Sequence, residues 1–187
     1  DKVLAGCIDP HVTYPKARVS LGDARSIHKL ARNIDLVFTS PPYLNAIDYL
    51  RCSKFSLVWM GYSIAELRRI RSESIGSYAG GECDATLEAL VRSKCDWDSL
   101  SPRAQGILAR YLADTERSLK EIRRILSPSG RATFIVGENC IEGVYVPTGS
   151  LIRAIAKKVG LRAVRGRVRP LPASRRYMPP PRAQGGV

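Results

Sequence analysis

Residues 35–43 read Asp-Leu-Val-Phe-Thr-Ser-Pro-Pro-Tyr. A mostly apolar run over 34–39, the pattern of a strand buried on both faces, leads straight into Ser40-Pro41-Pro42-Tyr43. Two consecutive prolines hold φ at about −65° and remove two backbone donors, so the segment offers carbonyls and no competing N–H groups. An exocyclic amine on a flat ring is a donor that needs such acceptors, and Tyr43 supplies a face for the ring to stack on. The same four residues also serve as a rigid turn closing a buried strand. Residue chemistry by itself leaves both readings open.

On the N-terminal side, residues 3–9 form a short apolar run ending at Asp9. Residues 17–21 lead into Gly22-Asp23-Ala24-Arg25, with Asp23 placed to open a helix over 24–31. On the C-terminal side, Ile47, Leu50, Phe55, Val58 and Trp59 mark one face of a helix that Gly61 stops, and Trp59 and Trp97 read as core. Ser63-Ile64-Ala65-Glu66 is a capping box opening an arginine-rich helix. Residues 72–83, with three glycines and three serines, read as a flexible loop, followed by a short helix over 86–95. Ser101-Pro102 is an N-cap followed by proline at the first helical position. Behind it Ile107, Leu108, Tyr111, Leu112, Thr115, Leu119, Ile122 and Leu126 keep helical spacing. Pro128-Ser129-Gly130 ends that helix and starts a strand at 131–136. An amphipathic helix at 149–159 is closed by Gly160, 161–168 reads as a last strand, and the proline-rich tail from Arg169 is extended. Strands alternating with helices predict an α/β layered fold in a single domain over 1–187.

The motif and several further blocks resemble the amino-methyltransferases of DNA. That family's signature is (Asp/Asn/Ser)-Pro-Pro-(Tyr/Phe), and here it stands as Ser40-Pro41-Pro42-Tyr43. The resemblance continues through 44–50 and 56–63, returns at Gly130-Arg131-Ala132 and Val136-Gly137-Glu138-Asn139, and again at Arg175-Arg176-Tyr177-Met178-Pro179-Pro180-Pro181. It implies a Rossmann-like sheet with helices on both faces and S-adenosylmethionine as cofactor. It also implies transfer of a methyl group to N4 of cytosine, ahead of N6 of adenine, in double-stranded DNA. By the same resemblance Ser40 and the Pro41 carbonyl accept from the target amine, Pro42 holds the turn, and Tyr43 stacks on a base rotated out of the duplex. Asp23, Thr39, Ser40, Gly137, Asn139 and, as a remnant ribose-binding carboxylate, Asp9 would face the cofactor. Asn45 and Asp48 follow the motif closely enough to reach the site, while a solvated loop is the default reading for both. The segment 72–100 is the candidate target-recognition insertion.

One departure stands out. The glycine-rich loop that the family places after its first strand has no match here, so the sheet is expected to be incomplete at its N-terminal side. The chain then reads as the C-terminal part of a longer enzyme, as one half of a split enzyme served by a complementary chain, or as a degenerate relative. In the last case it would be a basic DNA-binding module without turnover.

Composition narrows the partners. Thirty Lys and Arg against seventeen Asp and Glu leave a net charge of +13, rich in arginine, whose planar fork suits phosphate geometry. A polyanionic partner, DNA or RNA, is therefore expected, and a protein amide is disfavoured as substrate. No run approaches the roughly 20 apolar residues of a membrane span, and no secretory signal opens the chain. Five cysteines without a C-x-x-C pair, beside two histidines, suggest reduced thiols in a cytoplasmic protein and no metal site.

Overall fold

The structure is a computed structural model that describes residues 16–44, 49–75 and 84–170. Its elements run in the order β1 (Ile34–Thr39), α1 (Tyr49–Trp59), α2 (Ile64–Glu73), α3 (Ala85–Arg92), α4 (Pro102–Ile125), β2 (Leu126–Phe134), β3 (Asn139–Ile141), β4 (Val144–Val146) and α5 (Thr148–Lys158). A 3-10 turn covers Ala24–Lys29 and a second one Trp97–Ser99. The chain is thus mixed α/β. The sheets are small: β1 pairs parallel with β2, and β3 pairs antiparallel with β4.

Helix α4 is the beam of the molecule. Ser101 Oγ accepts from the Ala104 amide at 3.2 Å, Pro102 occupies the first turn, and the apolar stripe runs to Ile125. Ile107, Leu108, Tyr111, Leu112, Leu119 and Ile122 on that stripe are all buried. All but Ile122 pack in one cluster with Leu87 and Val91 of α3, with Trp97 and Leu100, with Ile141 and Val146 of the hairpin, and with Leu151, Ile152 and Ile155 of α5. At roughly 1.5–3 kcal/mol for each large side chain taken from water, this cluster is the main source of stability.

The 3-10 turn is fastened to the same helix by charge. Arg25 Nη1 donates to Asp114 Oδ1 at 3.0 Å, and the His28 amide donates to Glu121 Oε2 at 3.0 Å, where the His28 ring also bonds. Asp114 is only 3% exposed, so Arg25 neutralises a charge that water cannot reach.

Where β1 and β2 pair, Leu36 faces Arg131, Val37 faces Ala132, Phe38 faces Thr133 and Thr39 faces Phe134. Side chains alternate along a strand, so these pairs sort by face. Val37, Ala132, Thr39 and Phe134 are half-buried; Leu36 at 63% and Phe38 at 67% exposure look outward with Arg131 and Thr133. The described residues do not bury 34–39 on both faces, and they place no helices on both sides of the sheet. Among the described residues one face of this pair is open. Trp59, expected in the core, is 90% exposed, because the outer side of α1 packs against nothing described; Trp97 is buried as expected.

Other boundaries shift. Helix α4 stops at Ile125 and β2 begins at Leu126, with the register slipping between Ile34 and Leu36 to absorb Ser127–Gly130. Gly130 sits so close to β1 that a Cβ there would lie 2.7 Å from the Ile34 carbonyl oxygen, and no larger residue fits. Helix α3 ends at Arg92, three residues early, where Ser93 caps it. Residues 161–168 form no strand: Val164 and Val168 lie exposed at 83% and 90%, and alternation without a pairing partner does not make a sheet. The β3–β4 hairpin was not anticipated. Its turn, Glu142-Gly143, has both residues at positive φ, 51° and 86°, which is the geometry a tight hairpin requires. Gly61 and Gly160, at φ 92° and 85°, end α1 and α5 as expected.

Candidate active site

The carboxyl ends of β1 and β2 lie side by side. Thr39 stands opposite Phe134, and the Thr39 carbonyl accepts from the Ile135 amide at 3.0 Å. The two strands therefore release their chain segments at one edge of the sheet: Ser40-Pro41-Pro42-Tyr43 from β1, and Ile135 through Asn139 from β2. Ligands of parallel sheets collect at this edge, where chain segments diverge and leave space.

Ser40 is exposed, and Pro41, Pro42 and Tyr43 are half-buried. Leu44, directly after the motif, is 1% exposed and belongs to the core built on α4. The motif is thus held between a strand and a buried leucine, with two prolines fixing the backbone between them. Ser40 Oγ lies 3.4 Å from the Tyr43 hydroxyl, a long contact that keeps both groups on one side of the turn. The Tyr43 ring passes over Gly137, where an added Cβ would meet ring carbons at 3.8 and 3.9 Å. Glycine there brings the β2 exit close to the ring.

The β2 exit is braced from below. Asn139 Nδ2 donates to the Gly137 carbonyl at 3.0 Å and to Thr148 Oγ1 at 2.8 Å. Thr148 opens α5 and is buried, so Asn139 ties the turn beneath Tyr43 to a fixed helix end. Glu138 reaches over the first turn of α5, with Oε1 2.9 Å from the position of a Gly149 Cβ. Burial, and then the Glu138 carboxylate beside it, push the Tyr145 hydroxyl above its ordinary range. Leu44 and Glu138 lie in the resemblance blocks but were given no role from sequence, and Thr148 was not singled out. Leu44 carries no polar signal, and the Thr148 contact depends on a hairpin that returns the chain to Asn139.

Asp23 stands at the head of the 3-10 turn. Its carboxylate accepts from the Arg25 amide at 2.8 Å, from Nε at 3.1 Å and from Nη2 at 2.8 Å, and these bonds hold it below the usual carboxylate range. Asp9, Asn45, Asp48, most of the 72–83 loop and the Arg175–Pro181 block lie outside the described residues. Ser72 and Glu73 close α2 and are not part of a loop. Residues 84–100 place Leu87, Val91, Trp97 and Leu100 in the core, so this part of the 72–100 segment is built into the domain.

Over 156 residues the chain is 26% identical to the type II methyltransferase M.MvaI of Kocuria varians, covering 75% of this chain and 34% of that protein. The chain therefore spans about a third of the length of the curated relative it matches. No protein-family model matches it. No solved structure matches it either.

The cofactor implied by the resemblance, S-adenosylmethionine, can be tested against these groups. The Asp23 carboxylate is engaged by Arg25, and the Asn139 amide nitrogen by Gly137 and Thr148. Thr39, Ser40 and Gly137 lie at the carboxyl edge of the sheet. The described residues on their own do not fit the whole cofactor. Among the described residues no helix is long and apolar enough to cross a membrane.

Proposed function

We propose that this chain carries the base-holding half of a methyltransferase that modifies an exocyclic amine of a base in double-stranded DNA. N4 of cytosine is favoured over N6 of adenine, and S-adenosylmethionine is the donor. The observation that carries the reading is the placement of Ser40–Tyr43 at the carboxyl edge of the parallel pair, pinned by buried Leu44 and facing Gly137. Similarity to a type II methyltransferase over three quarters of the chain supports it, as does a net charge of +13.

In this reading the target base leaves the duplex and stacks on Tyr43. The amine donates to Ser40 Oγ and to the Pro41 carbonyl, which orients the nitrogen lone pair away from the ring plane. No protein nucleophile is required; the residues position the amine and strip water from it. A Rossmann-like sheet would be completed on the open side of β1. The remaining contacts to the cofactor would come from outside the described residues or from a complementary chain.

The engagement of Asp23 by Arg25 favours a second reading, a basic DNA-binding module without turnover. Incubation with duplex DNA and methyl-labelled S-adenosylmethionine, followed by digestion to nucleosides, separates the two. Labelled N4-methylcytosine, lost in Tyr43→Ala, is the expected result. Labelled N6-methyladenine would reverse the base preference. Duplex binding without label would favour the module.

A further inference from the structure

Charge is divided unevenly along this chain. Ten of the thirty Lys and Arg, and none of the seventeen Asp and Glu, lie in residues 143–187. Before residue 143 the signs nearly balance, at twenty cations to seventeen acids, the mixture that keeps a surface soluble without a strong field. A block of one sign repels itself until opposite charge is seated on it. Eight of the ten are arginines, whose forks match phosphate oxygens in pairs.

The fold gathers part of this block on one surface. Helix α5 buries Leu151, Ile152 and Ile155 and leaves Arg153 and Lys157, four residues apart, exposed on its outer face. The chain leaves α5 at Gly160 and turns back over it. Gly166 lies so close to Arg153 that a side chain there would collide with the guanidinium. Arg165 and Arg167 flank that crossing, and both are exposed. At the far end of α5, Arg123 of α4 stands with Nε 2.9 Å from the position of a Gly160 Cβ.

The carboxylates around α5 have other partners. Asp84 and Glu116 both pair with Lys158 at 3.4 Å. Glu138 reaches over Gly149 and accepts from the Tyr145 hydroxyl. Among the described residues Arg123, Arg153, Lys157, Arg165 and Arg167 form no ion pair. Lys157 also complements the negative end of its helix, a role that does not extend to Arg153, Arg165 or Arg167.

Helix α5 starts at the candidate site. Thr148 accepts from Asn139, which also holds the Gly137 carbonyl beneath Tyr43. Arg153 and Lys157 lie about 8 Å and about 14 Å further along the helix axis. Duplex DNA carries one charge per ~1.7 Å of its axis, so that reach covers several phosphates beside a base held at Tyr43. We infer that α5 and the segment 161–170 folded over it grip the sugar-phosphate backbone of duplex DNA next to the target base. The inference rests on the proposed DNA substrate and names the surface that holds it.

The test reads binding, not turnover, so it stands apart from the methylation assay. Affinity for one fluorescent duplex is measured by anisotropy across a salt series. Each phosphate contact contributes about 0.9 to the slope of log K against log salt. Arg165→Gln with Arg167→Gln should reduce the slope by about 2, and Arg153→Gln by about 1. Lys29→Gln with Arg32→Gln, an equal loss of exposed charge beside the 3-10 turn, should change it by less than about half a unit. All these side chains except Arg153 belong to exposed turns or segments, and thermal melting checks that each variant is folded. Equal effects of the two double variants would mean a diffuse field and overturn the surface. An unchanged slope in the Arg153 and Arg165/Arg167 variants would overturn it too. Tighter binding of duplex RNA of the same sequence, weakened by the same variants, would reassign it to RNA. Wild type that binds no duplex at all would instead bring down the DNA reading on which the inference rests.

Discussion

Arg25 does more for this molecule than its position in a short turn suggests. Its guanidinium bonds the Asp23 carboxylate, Asp114 on α4 and the Glu73 carbonyl at the end of α2, so one side chain joins three segments. Asp114 is buried, and among the described residues its second oxygen makes no hydrogen bond, Arg110 Nε standing 3.8 Å away, too far for one. Arg25→Ala would leave that carboxylate without its close partner, and we expect a loss of about 2–4 kcal/mol in urea denaturation. Arg25→Ala combined with Asp114→Asn should recover part of this, because the stranded charge is gone. If the double variant is as unstable as the single one, the buried charge is not the cause. The sequence placed Asp23 at the head of a helix, and the structure shows it there; that Arg25 would fill its oxygens depends on a rotamer no pattern specifies.

At the scale of elements, the junction between α4 and β2 decides where the motif stands. Helix α4 ends at Ile125, and Ser127–Gly130 must be taken up before Arg131 can pair with Leu36. The bond from Ser127 Oγ to Asp35 Oδ1, at 2.8 Å, holds this detour against β1. Gly130 allows it, since a Cβ would meet the Ile34 carbonyl oxygen at 2.7 Å and Ser127 backbone atoms at 3.0 Å. These are main-chain atoms and cannot swing aside. Gly130→Ala should therefore cost about 1–3 kcal/mol, read as a lower urea midpoint, and shift the β1–β2 register beneath Ser40. Helix starts and stops were legible because capping is local: Ser63-Glu66, Ser101-Pro102, Gly61 and Gly160 act within a turn of their own residue. The strand over 161–168 was misread and the hairpin over 139–146 missed, since strand formation depends on a partner that sequence periodicity does not contain.

For the whole molecule, acid is the informative perturbation. Glu142, at the hairpin turn, accepts from the Ser101 amide at 2.9 Å and from Ser101 Oγ at 2.8 Å, joining the β3–β4 turn to the head of α4. Those bonds hold its carboxyl below the usual value, as bonds from Arg25 do for Asp23 and from the His28 amide for Glu121. A carboxylate whose folded value is depressed contributes stability above its unfolded value, about 4, and loses it as pH falls through the folded one. Thermal midpoints should stay level near neutrality and fall below about pH 4. Glu142→Gln should lie below wild type at neutral pH and converge with it in acid; a constant gap across the series would show that ionisation of Glu142 contributes nothing. The exposed Leu36 and Phe38 belong to this scale as well, an apolar sheet face that the described residues do not cover.

What the sequence determined by itself is the set of features that act within a few residues. These are the caps, the glycine stops, the α4 stripe that became the core, the β1 strand and the proline pair after it. The resemblance to DNA amino-methyltransferases was readable on the same local grounds. Only the tertiary structure decided that β1 pairs with β2, that Tyr43 crosses Gly137, that Leu44 anchors the motif, and that Arg123 of α4 meets the end of α5. Each of these joins residues distant in sequence. Such contacts form only when core burial offsets the entropy of closing long loops, a balance set by the whole chain and by no single stretch of it.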